Sequence, residues 1–112
     1  MPAGMTDTRR MADLALIPWA EAAPPAEATL RARLEREGFS VFAWTDAPGA
    51  RYAPHAHDRD ESIWVVDGEI TFAAAGRTFR LGPGDRLVLP AGTVHTAEAG
   101  PAGATYLVGE AR

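Results

Sequence analysis

The feature that most constrains the fold is the regular spacing of turn residues from Phe39 onward. Glycine, proline and aspartate interrupt this part of the chain at Ala47–Gly49, Asp67–Gly68, Ala75–Gly76 and Gly82–Asp85. Such turn signals, recurring roughly every eight to twelve residues between short apolar segments, are typical of an all-β sandwich or barrel.

The segments between these turns are rich in apolar and β-branched residues, so each is predicted to be a strand. Two of the turns, Asp67–Gly68 and Ala75–Gly76, carry the residues that tight hairpins prefer and are interpreted as hairpin turns. The predicted strands are Phe39–Thr45, Tyr52–His57, Ser62–Val66, Glu69–Ala74, Arg77–Leu81, Leu87–Leu89, Val94–Ala99 and Ala104–Val108.

The residues before the β region divide into a tail, a short strand and a helix. Met1–Met11 is polar and lacks periodicity, which predicts a mobile tail, and Leu14–Trp19 is a candidate short strand. We therefore expect residues 1–25 to form a flexible N-terminal segment and residues 26–112 to form one domain that begins with a helix.

The helix is predicted over Ala26–Glu37. Leu30 and Leu34 lie four residues apart and so share one face, and Gly38 supplies a stop signal. Charged residues occupy the other faces, which indicates a surface helix packed on the barrel by its leucines.

Composition excludes several classes of function. A chain of 112 residues with 46% apolar content suits a single domain with its own core. The net charge of −4 comes from interspersed acids and bases without a basic patch, so nucleic acid is not an expected partner. No apolar run is long enough to span a membrane, and cysteine is absent, so we expect a cytoplasmic protein without disulfides.

The only three histidines lie in two stretches of the β region. His55 and His57 are two residues apart, so on a strand they point to the same face, and Glu61 shares their parity beyond a turn. His95 must arrive from a distant strand. We expect these four side chains to bind one divalent metal inside a small barrel.

The types of these four side chains restrict which metal can bind and which small molecule can bind to that metal. Neutral imidazole and carboxylate suit Mn, Fe, Ni, Cu or Zn, whereas Mg and Ca favour sites made only of oxygen atoms. An octahedral ion with four protein ligands keeps two positions for water or a small molecule. The net charge of about +1 in such a site favours an anionic or oxygen-rich ligand.

The first histidine stretch resembles the first cupin motif. That motif has a glycine, five residues, His-x-His, three residues, a glutamate, six residues and a second glycine. The positions are filled here by Gly49, His55, His57, Glu61 and Gly68.

The second histidine stretch is similar to the second cupin motif, with Gly84, Pro90, Gly92 and His95 in the matching positions. Ala99 stands where the motif has an asparagine, which is not a metal ligand in the family. The resemblance extends over about residues 39–109. It implies a small single-domain cupin, with an all-β jelly-roll β-barrel, a short N-terminal helix and a metal held by the four residues named above.

Parity also predicts what surrounds the metal. Residues 63 and 65 share the face of Glu61, and residues 93 and 97 share that of His95. Arg51 and Arg59 flank the motif and either meet an anionic ligand or carry solvated surface charge. The large side chains that wall a pocket or pack the core are Trp44, Tyr52, Trp64, Phe72 and Tyr106.

The expected chemistry depends on the metal. With all three histidines bound to it, none remains as a general base, and the nearest spare carboxylates are Asp58, Asp60 and Glu98. Glu98 has the opposite parity to His95. No catalytic residue beyond the metal ligands is therefore predicted. The resemblance to cupins implies a metal-dependent enzyme, with an oxygenase favoured over an isomerase.

Two other functions remain open. A metal-holding module could sense or sequester a small molecule without turnover, and a purely structural oligomer is disfavoured by the four ligand residues. We also expect a homodimer, because small barrels leave sheet edges open and the strand at Leu14–Trp19 could cover such an edge in the partner.

Overall fold

The computed structural model describes residues 13–112, and the predicted tail Met1–Met11 lies outside the described residues. The described part of the chain contains seven strands and one helix. In chain order these are β1 (Ala15–Ile17), α1 (Glu27–Arg36), β2 (Phe39–Asp46), β3 (Arg51–His55), β4 (Glu61–Ala74), β5 (Arg77–Leu81), β6 (Arg86–Leu89) and β7 (His95–Ala111).

Two long strands, β4 and β7, form the frame of the molecule. They pair antiparallel from Glu61 opposite Glu110 to Ala74 opposite His95. The first part of β4 also pairs with β6, and its second part pairs with β5. The first part of β7 pairs with β3, its second part pairs with β2, and β1 joins through β6. The result is a jelly-roll β-barrel with one short helix, so the predicted fold class is confirmed.

The predicted hairpin turn at Asp67–Gly68 was wrong. β4 runs through these residues, and its register with β7 shifts on either side of them, as at a β-bulge. Gly68 and Gly103 both have positive φ, 76° and 77°. A Cβ atom on Gly68 would lie 2.2 Å from the Gly103 carbonyl oxygen. The paired glycines therefore let the two strands approach closely and bend together, instead of reversing the chain.

The hairpin predicted at Ala75–Gly76 is confirmed. These residues join β4 to β5 and have φ values of 52° and 73°. Positive φ at both central residues is the requirement of the tight hairpin turn that matches the twist of the flanking strands.

Alternation along the strands separates two apolar clusters. Ile63 and Val65 point into the barrel, as predicted, and pack with the interior side chains of the other strands. Trp64 points the opposite way and packs with Leu107 beneath α1. The strand is therefore buried on both faces where it lies under the helix.

Helix α1 occupies the predicted position. It is capped by Ala26 and Glu37, and Leu30 and Leu34 are fully buried against the outer apolar cluster. Gly38 ends it with a φ of 99°, a conformation that glycine adopts without strain. No helix in residues 13–112 is long and apolar enough to cross a membrane.

The strand expected within Leu14–Trp19 is β1, and it pairs antiparallel with β6 of its own chain. Trp19 follows it and packs its ring over Gly84, where a Cβ atom would collide with the indole. The backbone N–H of Trp19 donates to the Asp85 carboxylate at 2.9 Å. These contacts attach the N-terminal segment to the turn before β6.

Candidate metal centre

The three histidines come from two neighbouring strands. His55 ends β3, His95 begins β7, and the two residues are directly paired between the strands. His57 lies two residues beyond β3, and its carbonyl accepts the N–H of Gly92 at 2.8 Å. Gly92 has a φ of 79°, so the predicted Pro-x-Gly bend is present and brings the second motif against the first.

The imidazole rings form a close cluster. Ring centroids are separated by 4.3 Å between His55 and His95, 5.0 Å between His55 and His57, and 5.3 Å between His57 and His95. One nitrogen from each ring lies within 4.8 Å of the others. Nitrogen atoms about 2 Å from one ion are separated by at most twice that distance, so only small side-chain shifts are needed to coordinate a metal.

Two of the rings are oriented by backbone carbonyls. Nδ1 of His55 lies 2.7 Å from the carbonyl oxygen of Ala53, and Nδ1 of His95 lies 2.9 Å from that of Thr93. Because a carbonyl only accepts, these contacts place the ring proton on Nδ1. The lone pair of Nε2 is then available for a metal, in the tautomer typical of ligating histidines.

The environment keeps two of these histidines neutral. Burial lowers the pKa of His95, and the hydrogen bond to Thr93 opposes this shift only in part. Burial also lowers the pKa of His57, with a further contribution from the adjacent His55. Neutral imidazole is the form that binds metal, so the barrel favours the competent state.

Glu61, the fourth expected ligand, lies beside the cluster rather than within it. Its side chain is 5% exposed, and Oε2 is 3.5 Å from Nδ1 of His57. Burial and, after it, the neighbouring Glu110 together raise the pKa of Glu61 to about 7. A nearby cation would remove this penalty on the charged carboxylate, as expected for a ligand residue.

A second carboxylate in the pocket was missed by the sequence analysis, which took Asp58, Asp60 and Glu98 as the nearest. Glu110 lies opposite Glu61 on β7 and lines the same pocket. The last strand was predicted to end at Val108, although Glu110 has the same parity as Val108 and Tyr106. Extending the alternation by two residues would have identified it.

The carboxylates named from the sequence have other positions. Glu98 faces outward, as its parity predicted, and lies 3.5 Å from Arg51 in an exposed ion pair. Asp60 accepts the N–H of Ala91 at 2.8 Å and so ties the two motif loops together. Asp58 is exposed. Arg51 therefore carries surface charge instead of lining the metal pocket.

The histidines open into a pocket of about 250 Å³. Four of the five aromatic residues expected at its wall do line it, whereas Trp64 packs under the helix instead. The polar groups in the lining are the three histidines, Glu61, Glu110, Tyr52, Tyr106 and the indole of Trp44.

The donor set fits a divalent transition metal. Three clustered imidazoles with a buried carboxylate beside them combine borderline and hard ligands, which suits manganese, iron, nickel, copper or zinc. These groups would hold an ion at the wall of the pocket that they line, where a small molecule could reach it.

Comparison with solved structures finds several proteins of this fold. KdgF from Halomonas sp. is 31% identical over 67% of this chain and 71% of that one, with a TM-score of 0.57. Oxalate decarboxylase from Bacillus subtilis, which has Mn(II) centres, is 25% identical over 66% of this chain but only 21% of its own, with a TM-score of 0.59.

A more distant neighbour supports the fold alone. The DMSP lyase DddQ from Ruegeria pomeroyi is 24% identical over 88% of this chain and 47% of its own, with a TM-score of 0.62. No curated protein matches the sequence. The model of the cupin domain family matches residues 42–108, which contain both histidine motifs and most of the barrel. The chain therefore belongs to the cupin family.

Proposed function

We propose that the protein is a metal-dependent cupin enzyme that acts on a small oxygen-rich or anionic molecule. His55, His57, His95 and Glu61 hold one divalent transition metal in this proposal. The observation that carries it is the convergence of three histidine nitrogens within 4.8 Å at a pocket of about 250 Å³. A bound ion would supply a Lewis acid for the oxygen atoms of a substrate.

Manganese and iron are the first metals to test. The Mn(II) centres of the Bacillus subtilis oxalate decarboxylase support manganese in a related barrel. Iron also suits histidine and carboxylate ligands with open positions.

Glu110 favours proton-transfer chemistry of the isomerase type over oxygenase chemistry. The preference for an oxygenase came from the family resemblance. No spare acid–base residue was predicted in the pocket, and Glu110 is such a residue in its lining. A carboxylate there can take a proton from a bound substrate and return it to another carbon. An oxygenase is the second candidate, because the ligand set also suits iron, and a binding module without turnover is the third.

Metal analysis tests the ligand assignment. After chelation and reloading with Mn(II) or Fe(II), we expect about one ion per chain in the parent. His57→Ala should bind at least about tenfold more weakly, since it loses one of four ligands. Glu98→Gln is the matched control, because its carboxylate lies on the outer face. Equal metal content in the His57→Ala variant and the parent would contradict the assignment.

Turnover assays separate the three functions. The metal-loaded protein is incubated with a panel of hydroxy acids, keto acids, diketones and catechols, in deuterated water with an oxygen electrode. Metal-dependent deuterium incorporation that Glu110→Gln abolishes supports the isomerase type. Oxygen consumption that is retained in the Glu110→Gln variant supports the oxygenase. Saturable binding with neither oxygen consumption nor deuterium incorporation supports the binding module.

Two broader features belong to the same proposal. We propose a homodimer, supported by the outer edge of β2, which pairs with no strand among residues 13–112, and by the exposure of Phe42 and Trp44 on this strand. Light scattering at tens of micromolar protein would show twice the monomer mass, and a monomer mass would contradict it. A cytoplasmic location is supported by the absence of cysteine.

A further inference from the structure

A buried aspartate lies behind the aromatic wall of the metal pocket. Asp46, the last residue of β2, is 6% exposed. Its carboxylate accepts the hydroxyl proton of Tyr52 on one oxygen and that of Tyr106, at 2.7 Å, on the other. Nε1 of Trp44 lies 3.0 Å from both Asp46 and the Tyr52 hydroxyl. Both tyrosines line the pocket, whereas Asp46 does not.

This network determines which hydrogen-bonding groups the tyrosines offer. A tyrosine hydroxyl has one proton to donate, and an ionised carboxylate only accepts. Because both protons go to Asp46, the oxygen atoms of Tyr52 and Tyr106 can only accept a hydrogen bond from a ligand.

The protonation states of the tyrosines agree with this assignment. Burial raises the pKa of Tyr106, and its hydrogen bond to Asp46 raises it further. The hydrogen bond to Asp46 is also the main reason that the pKa of Tyr52 is raised, with burial second. Both hydroxyls therefore keep their protons at neutral pH and remain committed as donors to the aspartate.

We propose that Asp46 is a specificity-determining residue that makes the tyrosine side of the pocket select a ligand with a hydroxyl or N–H group. The inference rests on the proposed function, because the other end of the ligand is an anionic oxygen group held at the histidines. The substrate class is then a small hydroxylated acid. Its span is short, since the rings of Tyr52 and His55 are only 6.4 Å apart.

The selection has a physical basis in unpaired polar groups. A ligand hydroxyl satisfies a tyrosine oxygen, whereas a methyl ether presents another acceptor. The ether leaves the Tyr106 oxygen without a ligand donor, and the Tyr52 oxygen with only the N–H that Trp44 donates to it. Such a mismatch in a partly desolvated site weakens binding roughly tenfold or more.

The variant Asp46→Asn changes the hydrogen-bonding groups that the tyrosines offer to a ligand, with little change in the shape of the side chain. An amide donates as well as accepts, so one tyrosine oxygen receives a hydrogen bond from Asn and its own proton becomes free to face the ligand. The variant should then accept the ether at least as well as the hydroxyl. A purely structural role for Asp46 would lower stability without changing this ratio.

The experiment measures binding by calorimetry for terminal hydroxy acids of increasing length, from glycolate to hydroxypentanoate. Each is compared with its methyl ether, in metal-loaded and in metal-free protein. The parent should prefer at least one hydroxy acid by roughly tenfold, and Asp46→Asn should bring that ratio to about one or below. Thr45→Val is the control, because it removes a hydroxyl pair between the same strands, 3.1 Å from Thr105 and exposed.

The outcomes distinguish this inference from the proposed function. Metal should strengthen the binding of every acid, whereas Asp46 should change only the ratio of hydroxyl to ether. If the parent prefers a hydroxy acid to its ether but metal does not strengthen the binding of either, the result supports the inference and contradicts the proposed function. A parent ratio near one, or no binding across the series, overturns the inference. Tyr52→Phe removes one acceptor and should also reduce the ratio, so an unchanged ratio there overturns it even if Asp46→Asn does not fold.

Discussion

Glu61 shows how a single buried carboxylate can link the metal to stability. Its folded pKa of about 7 lies above the ordinary value of 4.5, because of burial first and Glu110 second. Between these pH values the metal-free folded protein holds a proton that the unfolded chain releases. The free energy of unfolding therefore falls as pH rises through this interval. Above the interval, the destabilisation by the ionised Glu61 has reached its full size.

The variant Glu61→Gln separates the ligand role of this residue from its electrostatic cost. Without metal, the variant should be more stable than the parent at about pH 8, by up to roughly 3 kcal/mol, since each pKa unit corresponds to about 1.4 kcal/mol. Near pH 4.5 most of this difference should be gone, because Glu61 is then protonated in the folded parent and about half protonated in the unfolded chain. With metal, the variant should bind the ion at least about tenfold more weakly.

Urea unfolding at both pH values, with and without metal, checks this prediction. Glu98→Gln is the control, because its side chain is exposed in a surface ion pair. A variant that is less stable than the parent without metal at about pH 8 would show that Glu61 is stabilised there by contacts other than a metal.

At the scale of the elements, the bend shared by β4 and β7 decides the shape of the pocket. β7 carries His95 before its bend and Tyr106 and Glu110 after it. The close approach of Gly68 to Gly103 lets the two strands turn together, so that both parts of β7 line one pocket.

We expect Gly68→Ala to be among the most damaging small changes in the chain. The added Cβ atom would meet the Gly103 carbonyl oxygen at 2.2 Å, in addition to the strain of an alanine at a φ of 76°. Gly76→Ala is the matched control, because its φ of 73° is similar but no atom lies within 4 Å of the added carbon. The control should cost about 1–2 kcal/mol, and Gly68→Ala more than about 3 kcal/mol.

Denaturant midpoints of the two variants measure this difference. Gly68→Ala should also reduce metal binding, since it disturbs the strand that carries His95, whereas Gly76→Ala should leave binding unchanged. Equal destabilisation by the two substitutions would mean that the need for glycine at the bend comes from its positive φ alone, and not from the close approach of the strands.

At the scale of the whole molecule, metal binding should make stability depend on pH. Burial lowers the pKa values of His57 and His95 below the ordinary 6.5. In the metal-free protein, the folded state therefore binds protons at these histidines more weakly than the unfolded chain does. The free energy of unfolding is highest above about pH 6.5 and decreases as pH falls through the lower pKa values of the folded state. A metal that binds only the folded state adds stability in the same direction, because protons compete for its ligands.

Melting curves with and without excess metal test this coupling at about pH 7.5 and about pH 5. Metal at a hundredfold excess over its dissociation constant contributes about 2.7 kcal/mol, or roughly 10 °C in melting temperature, at the higher pH. The shift should largely disappear at the lower pH. His95→Ala should show little shift at either value, and an equal shift at both values in the parent would exclude the histidines as ligands.

Features that depend on residues near one another in the chain could be predicted from the amino-acid order. The parity of His55 and His57, the helical spacing of Leu30 and Leu34, and the hairpin at Ala75–Gly76 all follow from local backbone geometry. The two motif spacings were sufficient to predict the barrel and to name the residues that the fold brings to its pocket.

Features that depend on strand register across the barrel could not be predicted and became visible in the fold. A glycine with positive φ permits either a reversal or a bulge, and the long pairing of β4 with β7 selected the bulge at Gly68. The same register places Glu110 opposite Glu61. The register of β2 with β7 brings Tyr106 to Asp46, 60 residues away, because antiparallel pairing joins positions whose separation no local pattern encodes.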